Sequence, residues 1–505
     1  MYCIILLPVI LSVLTGIGLC VSSFVEHRKK SGDGAADREK PDRTKIHLIS
    51  ASVLILSAVI ALYAAWTGEK SLTLFYLMDE IPVYFHIDAL GRLFVTVISF
   101  IWTAVCLYAF VYMKHEGDEK RFFSFYLILY GVLTALCFSG NMITFYIFYE
   151  LMTLVSMPLV LHNGSKEAIM AALKYLFYSM LGAYCALFGI YFLYRFCSTL
   201  TFTAGGTLNT VLAAENREIL LVAVFLMIIG FGTKAGMLPL HAWLPAAHPV
   251  APAPASAVLS AIIVKIGVLA VIRSIYYVVG TDFIKGTWVQ TAWLILSLIT
   301  VFMGSLLAYR ENIFKKRLAY STVSQVSYIM FGLALLTPGG LHGALLHFVF
   351  HAFIKSALFL TAGIFIFRTG KTKVGEYIGI GKQQALTLWG YTFASLALIG
   401  IPPTSGFVSK WYLAIAALQS NVVVFKFLGP AVLLISALLT AGYLLPITMK
   451  GFLPGTDCKV EAKKEPIDKM TIVLLILAAV TLILGIMPNS LISYDVSTIA
   501  AEAFR

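Results

Sequence analysis

Along the chain, long apolar runs alternate with short clusters of charged and turn-forming residues. A helix needs about 20 residues to cross a bilayer, and most runs reach that length. The pattern predicts about fourteen spans, at 2–24, 47–66, 88–112, 122–139, 142–161, 170–193, 218–240, 255–278, 289–308, 319–336, 341–367, 386–418, 427–449 and 470–487. Two are unusual. The seventh carries Lys234 and runs into Met237, Leu238 and Pro239, and the twelfth is interrupted by Gly400, Ile401, Pro402 and Pro403. Proline removes a backbone donor and blocks the preceding turn, so both helices are expected to be broken. The predicted fold is an all-α polytopic membrane protein.

Spans four to eight and nine to thirteen are two sets of five, and an odd number reverses orientation between two copies. The broken span sits fourth in each set. The expected organisation is therefore an N-terminal group of spans with a basic loop at 25–46 (residues 1–121), a first inverted repeat (122–278), a second inverted repeat (289–449), and a C-terminal span with its tail (470–505).

Composition agrees. Of 505 residues, 60% are hydrophobic and 12% charged, about half the charge of an ordinary soluble domain. A soluble globule, a disordered chain, collagen and a coiled coil are all excluded. The net charge of +12 points to an asymmetry across a membrane rather than to nucleic acid. No basic residue precedes the run Tyr2–Phe24, whereas Arg28, Lys29 and Lys30 follow it. A cleaved leader has the reverse order, so the first helix reads as retained, with its N-terminus outside. In that orientation the inner loops collect most of the Lys and Arg, while the outer segments keep few, such as Lys70, Arg92, Arg195 and Arg273. Both termini then fall outside a cytoplasmic (inner) membrane, and 25–46 is a cytoplasmic loop. The cysteines (Cys3, Cys20, Cys106, Cys137, Cys185, Cys197 and Cys458) form no CxxC pair, which argues against iron–sulfur, zinc and a disulfide framework. They read as packing residues.

A charge at mid-membrane costs about 3 kcal/mol on insertion scales, so Glu150 and the inner lysines carry the information. Glu150 reads either as an interfacial carboxylate or as the partner of a buried lysine, and Lys234 is the natural partner. Such a pair opens and closes, and the proton affinity of the lysine changes with it. His347, His351 and Lys355 are spaced by four, which places them along one helical face. The alternatives for that face are unrelated core polar residues or an HxxxH metal site, but no carboxylate or thiolate sits suitably near in the sequence. Haem would need ligands on opposite sides of the iron. A titratable row suits imidazoles that both donate and accept. Lys265 lies midway along span eight, and Lys410 follows the Pro402–Pro403 break. Serine, threonine and freed backbone groups at the breaks can hold water between such sites.

The stretch from Phe231 through Lys234, Pro239, His241, Pro245 and His248 to Pro252 resembles the hallmark of the proton-conducting antiporter-like subunits. That family includes the antiporter-like subunits of respiratory complex I, the A-type and D-type subunits of Mrp antiporters, and their counterparts in membrane-bound hydrogenases. The segment Arg317–Gln325 (with Ser324), the row His347–Lys355 and the stretch Gly400–Lys410 carry the same resemblance, over about residues 80–450. It implies that Glu150 and Lys234 form a modulating ion pair. Lys265, His347, His351 and Lys355 would form a central hydrophilic axis, and Lys410 the proton-exit residue, with His241, His248, Pro239, Pro402, Pro403 and Ser324 in support. Some complex I members have Glu in place of Lys410, so Lys here is closer to the D-type Mrp protein or the hydrogenase type. Many members carry an acidic residue where this chain has Ala246. The chain ends soon after span fourteen, without the long lateral helix of the largest complex I member or the extra domains of the A-type Mrp protein.

The expected function is proton translocation, with Na⁺/H⁺ antiport as one form of it, in a multi-subunit Mrp-type, hydrogenase-type or complex I-like assembly. Partners would be other antiporter-like and small membrane subunits, with hydrogenase or NADH/ferredoxin-oxidising peripheral subunits in a redox version. The rivals are a stand-alone transporter of a small solute and a proton-pumping subunit of a quinone reductase. No cofactor or metal is expected, since phosphate loops and cysteine clusters are both missing from the sequence.

Overall fold

The computed structural model describes residues 2–32, 43–77, 81–455, 460–487 and 491–504. Eleven of the described helices are long and apolar enough to cross a membrane. Each expected span coincides with a helix. The three positions outside those eleven hold Arg217–Lys234, Phe314–Ala334 and the pair Ala385–Ile399 and Ser405–Leu418. These segments are shortened by breaks or diluted by polar residues, which is why apolar length alone passes them over.

Burial separates a centre from a rim. The apolar window of Ala253–Val279 is 100% buried and that of Pro338–Thr369 is 94% buried, whereas Leu7–Val25 is 17% and Val423–Phe452 is 28% buried. The two central helices carry Lys265 and the row His347–Lys355. Their polar groups are therefore shielded by protein on all sides, and the rim helices turn apolar faces outward. Close packing depends on small residues. A Cβ added to Gly182 would come 2.6 Å from the Gly230 carbonyl, so the helices Lys166–Phe196 and Arg217–Lys234 meet backbone to backbone. That contact brings Ser179 and Tyr175 up to Lys234.

Two differences from the sequence reading concern the N-terminal region. The backbone is helical to Gly32 and again from Arg43, so the loop expected at 25–46 is helical at both ends; its middle, 33–42, lies outside the described residues. Between the second and third spans the chain forms an antiparallel hairpin, Lys70–Leu77 with Ile81–Ile87, in a register that sets Leu72 against Phe85. Its second strand buries alternate residues Val83, Phe85 and Ile87, as the period of two requires. It is held to the end of Glu119–Cys137 by His86 N–H donating to the Phe138 carbonyl at 2.7 Å. Cys20, Cys106, Cys137, Cys185 and Cys197 are free thiols, and Cys458 lies outside the described residues.

Candidate functional site

Lys234 is the last residue of its half-helix. The helix closes there because Gly236 takes φ +79°. Gly236 N–H then donates to Thr233 O at 3.0 Å and Met237 N–H to Gly232 O at 2.8 Å, a paired closure that uses up terminal carbonyls. Trp243 Nε1 adds a hydrogen bond to Thr233 O at 2.9 Å. The ammonium is thus released from its own helix end. It donates to Thr153 Oγ1 (2.8 Å), Ser179 Oγ (2.9 Å) and Tyr175 OH (3.1 Å). The rings of Tyr175, Tyr149 and Trp243 surround it at 4.5, 5.8 and 5.9 Å, close enough for cation–π attraction. Lys234 is 0% exposed.

Glu150 stands one helical turn before Thr153. It is within electrostatic reach of Lys234, yet no nitrogen–oxygen contact of 4.0 Å or less joins them. Glu150 is half-buried, and its Oε1 is enclosed without a hydrogen-bond partner among the described residues. Thr153, one turn along the same helix as Glu150, holds the ammonium instead.

The central helix Ala253–Val279 has a π-helical turn at Leu259–Ile263, a wider coil of the kind that often marks functional sites. Just beyond it, Lys265 donates to the Ser260 carbonyl. On Pro338–Thr369, Lys355 donates to Ser321 Oγ at 2.7 Å and Leu318 O at 3.1 Å. His351 stacks on His347 at 5.7 Å, and His347 stacks on Tyr328 at 5.5 Å and pairs through Nδ1 with Ser409 Oγ at 2.9 Å. Both ring nitrogens of His351, His347 Nε2 and the whole amide of Gln325 are buried without partners among the described residues. His351 lies within electrostatic reach of Lys265, Lys355, His347 and Lys410 together. The residues expected as one axis do lie together.

At the second break, Ala385–Ile399 ends with Gly400 at φ +91°. Lys410 sits on the following half-helix, Ser405–Leu418, and reaches back. Its Nζ donates to Leu398 O at 2.6 Å and Ile399 O at 2.9 Å, two carbonyls that a helix end leaves without partners. The Tyr328 ring lies 5.2 Å away.

The supporting residues are divided. His248, on the short helix Leu244–Val250, is fully buried, stacks on Phe359 at 4.6 Å and has both ring nitrogens unpartnered among the described residues. His241 is half-buried in the break, with Nδ1 enclosed, and Pro239, Pro402 and Pro403 are exposed at the breaks. Ser324 is buried and belongs to a serine cluster with Ser305 and Ser436. Several partners escaped the sequence reading: Thr153, Tyr175 and Ser179 at Lys234, and Ser321 at Lys355, with Tyr443 hydrogen-bonded behind it. Arg273, assigned to the outer segments, is instead 1% exposed and bound by both guanidinium ends to Asp88. Lys315 is likewise only 6% exposed, its ammonium on Ala251 O at 2.7 Å. Only a cation count that weighed nearby carboxylates and carbonyls could have found those two.

Comparison with known proteins adds the following. Residues 139–440 match the family described as NADH:quinone oxidoreductase/Mrp antiporter, transmembrane, and residues 78–123 match the complex I chain 5 N-terminus. NADH-quinone oxidoreductase subunit N of Desulforudis audaxviator is 30% identical over 422 residues, covering 81% of this chain and 82% of that one. Hydrogenase-4 component B of Escherichia coli is 32% identical over 428 residues, covering 79% of this chain and 62% of that longer one. A chain of the Mrp complex from Dietzia sp. superposes with a TM-score of 0.81 over 99% of this chain and 98% of that one, at 22% identity.

Proposed function

The chain belongs to the NADH:quinone oxidoreductase/Mrp antiporter transmembrane family, and from that premise we propose that it is a proton-translocating subunit of a multi-subunit membrane complex. The observation that carries this reading is the buried row itself. Lys265, Lys355, His351 and His347 are each 2% exposed or less, and no carboxylate among the described residues pairs with them. Isolated buried charges are costly, so these groups suit a row in which protons pass and do not all reside at once. Protons would be taken up near Lys234, cross the row, and leave through Lys410. The enclosed, unpartnered nitrogens of His248, His347 and His351 mark places where water would bind between the titrating groups.

Glu150 acts as the modulator. Drawn toward Lys234, it would hold the ammonium charged; withdrawn, it would leave the hydroxyl cage to a neutral amine. The bias comes from outside the chain, through neighbouring antiporter-like or small membrane subunits, because the sequence offers no phosphate loop and no electron carrier. The assembly is of the Mrp, membrane-bound hydrogenase or complex I-like kind, in the cytoplasmic membrane of a bacterium or archaeon, with both termini outside. Residues 122–278 and 289–449 form two inverted five-helix repeats, a reading supported by a broken helix in fourth place in each set.

The test is Lys234→Ala in everted membrane vesicles containing the assembled complex. Proton-coupled transport is expected to fall to the leak level while assembly is retained. Normal transport by the correctly assembled variant would sink the proposal. A second measurement reconstitutes the chain alone in liposomes under a Na⁺ or pH gradient. Passive leak or no flux is expected, and coupled exchange by the lone chain would overturn the need for partners.

A further inference from the structure

Two helices carry matching stripes of hydroxyls, of which the row hydrogen-bonds only Ser321. On Phe314–Ala334 they are Ser321, Ser324 and Tyr328, spaced three and four; on Val423–Phe452 they are Ser436, Thr440 and Tyr443, spaced four and three. Each trio lies on one helical face, and the two faces meet. Tyr443 OH donates to Ser321 Oγ at 2.7 Å and has Thr440 Oγ1 at 3.3 Å as its alternative acceptor. Ser436 Oγ lies 3.3 Å from Ser324 Oγ, and Ser305, from Trp288–Arg310, joins both at 2.6 and 2.8 Å. Tyr328 OH donates to Leu433 O at 2.8 Å and interacts with the Ser436 hydroxyl. All seven residues are 0% exposed.

The ends of this seam matter most. At one end Lys355 Nζ donates to Ser321 Oγ at 2.7 Å. At the other the Tyr328 ring faces Lys410 Nζ at 5.2 Å and His347 at 5.5 Å. The seam therefore leaves the row at Lys355 and returns beside Lys410 without touching His351, whose ring nitrogens have no protein partner among the described residues.

We propose that this hydroxyl seam is a second proton path from Lys355 to Lys410, parallel to His351 and His347, with Tyr443 as its obligatory link. The proposal rests on the reading of the row as proton-translocating. A hydroxyl both donates and accepts, so each member takes a proton on its oxygen and releases its own to the next. Tyr443, whose proton points to Ser321 in the structure, first turns it to Thr440 Oγ1 so that Ser321 can donate to the phenol oxygen. Lys355 then loses one proton, Lys410 gains one, and every hydroxyl keeps its original composition. Two links need water molecules. Thr440 Oγ1 donates to the Ser436 carbonyl at 2.7 Å, so water must join the Thr440 and Ser436 hydroxyls. Tyr328 OH is bound to Leu433 O while only its ring faces Lys410, so water must also join that hydroxyl to Lys410 Nζ.

The competing account is that the hydroxyls are interhelical glue, holding the helices together without carrying protons. The experiment separates the two by measuring proton flux per assembled complex in everted vesicles, with assembly quantified on native gels. Tyr443→Phe is made in the wild type and in His351→Ala. Alone it is expected to lower flux about twofold; in the His351→Ala background, which keeps a measurable flux, it is expected to lower the remainder about tenfold or more, the coupling expected of parallel routes. Ser436→Ala should show the same dependence on background. An equal fold-change in both backgrounds, a loss of assembled complex with unchanged flux per complex, or a His351→Ala variant with no flux would each overturn the seam. Failure of the underlying reading has a different signature, continued transport by Lys234→Ala.

Discussion

The two broken helices solve one problem in opposite ways. Each ends at a glycine with positive φ, Gly236 or Gly400, and each exposes carbonyls at its last turn. At the first break the carbonyl of Thr233 is covered by Trp243 and by the backbone, and Lys234 is left to bind three side-chain hydroxyls. At the second the carbonyls of Leu398 and Ile399 have no such indole, and Lys410 itself covers them. A hydroxyl donates as readily as it accepts, so the cage around Lys234 suits a charged amine and a neutral one alike. A carbonyl only accepts, and the helix end adds its partial negative charge, so the second site favours the ammonium. The first break is built to let a proton come and go, and the second to hold one until something displaces it.

The comparison makes its largest prediction through alanine at each lysine. Lys234→Ala removes a desolvated charge and leaves hydroxyls that re-pair, as Ser156 and Tyr175 already do at 2.6 Å. Its thermal stability in detergent should equal or exceed that of the wild type. Lys410→Ala orphans two carbonyls and should cost about 1–3 kcal/mol, read as a lowered unfolding temperature of the purified complex. Transport is expected to fail in both. Equal stabilities would break the contrast between the two breaks.

A smaller effect sharpens it. Trp243→Phe keeps an aromatic ring near Lys234 but deletes the indole donor to Thr233 O, a loss of about 0.5–1.5 kcal/mol. The carbonyl keeps its backbone donor but regains one acceptor position, which then competes with the hydroxyl cage for the ammonium and makes the first break more like the second. Flux should drop several-fold with assembly intact, and Trp243→Phe with unaltered flux would show that the indole does not keep the two sites apart.

Much of this architecture was legible in the sequence because membrane crossing leaves a strong apolar signal, and because Pro239 and Pro402–Pro403 each follow a glycine, Gly236 or Gly400, that ends a helix. The row was legible for the complementary reason, that charges and imidazoles at mid-span have few bland explanations. The hairpin was missed because Lys70–Leu77 has no clean alternation and exposes Phe75 and Tyr76. The lysines were legible relative to their breaks: Lys234 precedes Pro239 and closes the first half-helix, and Lys410 follows Pro402–Pro403 and lies within the second. Spacing could not reveal that Glu150 and Lys234 stand apart. Thr153, from the same helix as Glu150, occupies the ammonium, and a hydroxyl on an apolar helix carries no signal of its own. The burial of Arg273 was not legible, because an apolar run with one cation reads as an interfacial end until Asp88 is seen beside it.

The smallest prediction tests whether the hydroxyl cage acts as a set. Ser179→Ala removes one of the three oxygens bound to Lys234 and leaves Thr153 and Tyr175 in place. A single hydrogen bond to a charged group is worth about 1.5–3 kcal/mol, but the same bond is lost from the neutral and the charged amine in part, so only the difference reaches the flux. Thr153→Val deletes an oxygen on the helix that also carries Glu150, and so severs the shortest route by which movement of the carboxylate reaches the amine. Ser179→Ala is therefore expected to lower flux by about twofold and Thr153→Val by more, the gap reflecting coupling between neighbouring sites. Glu150→Gln should lower flux in the Ser179→Ala background but change little once Thr153→Val is present. If Glu150→Gln has the same effect in both backgrounds, Thr153 does not carry the coupling, and the carboxylate acts on Lys234 directly through space.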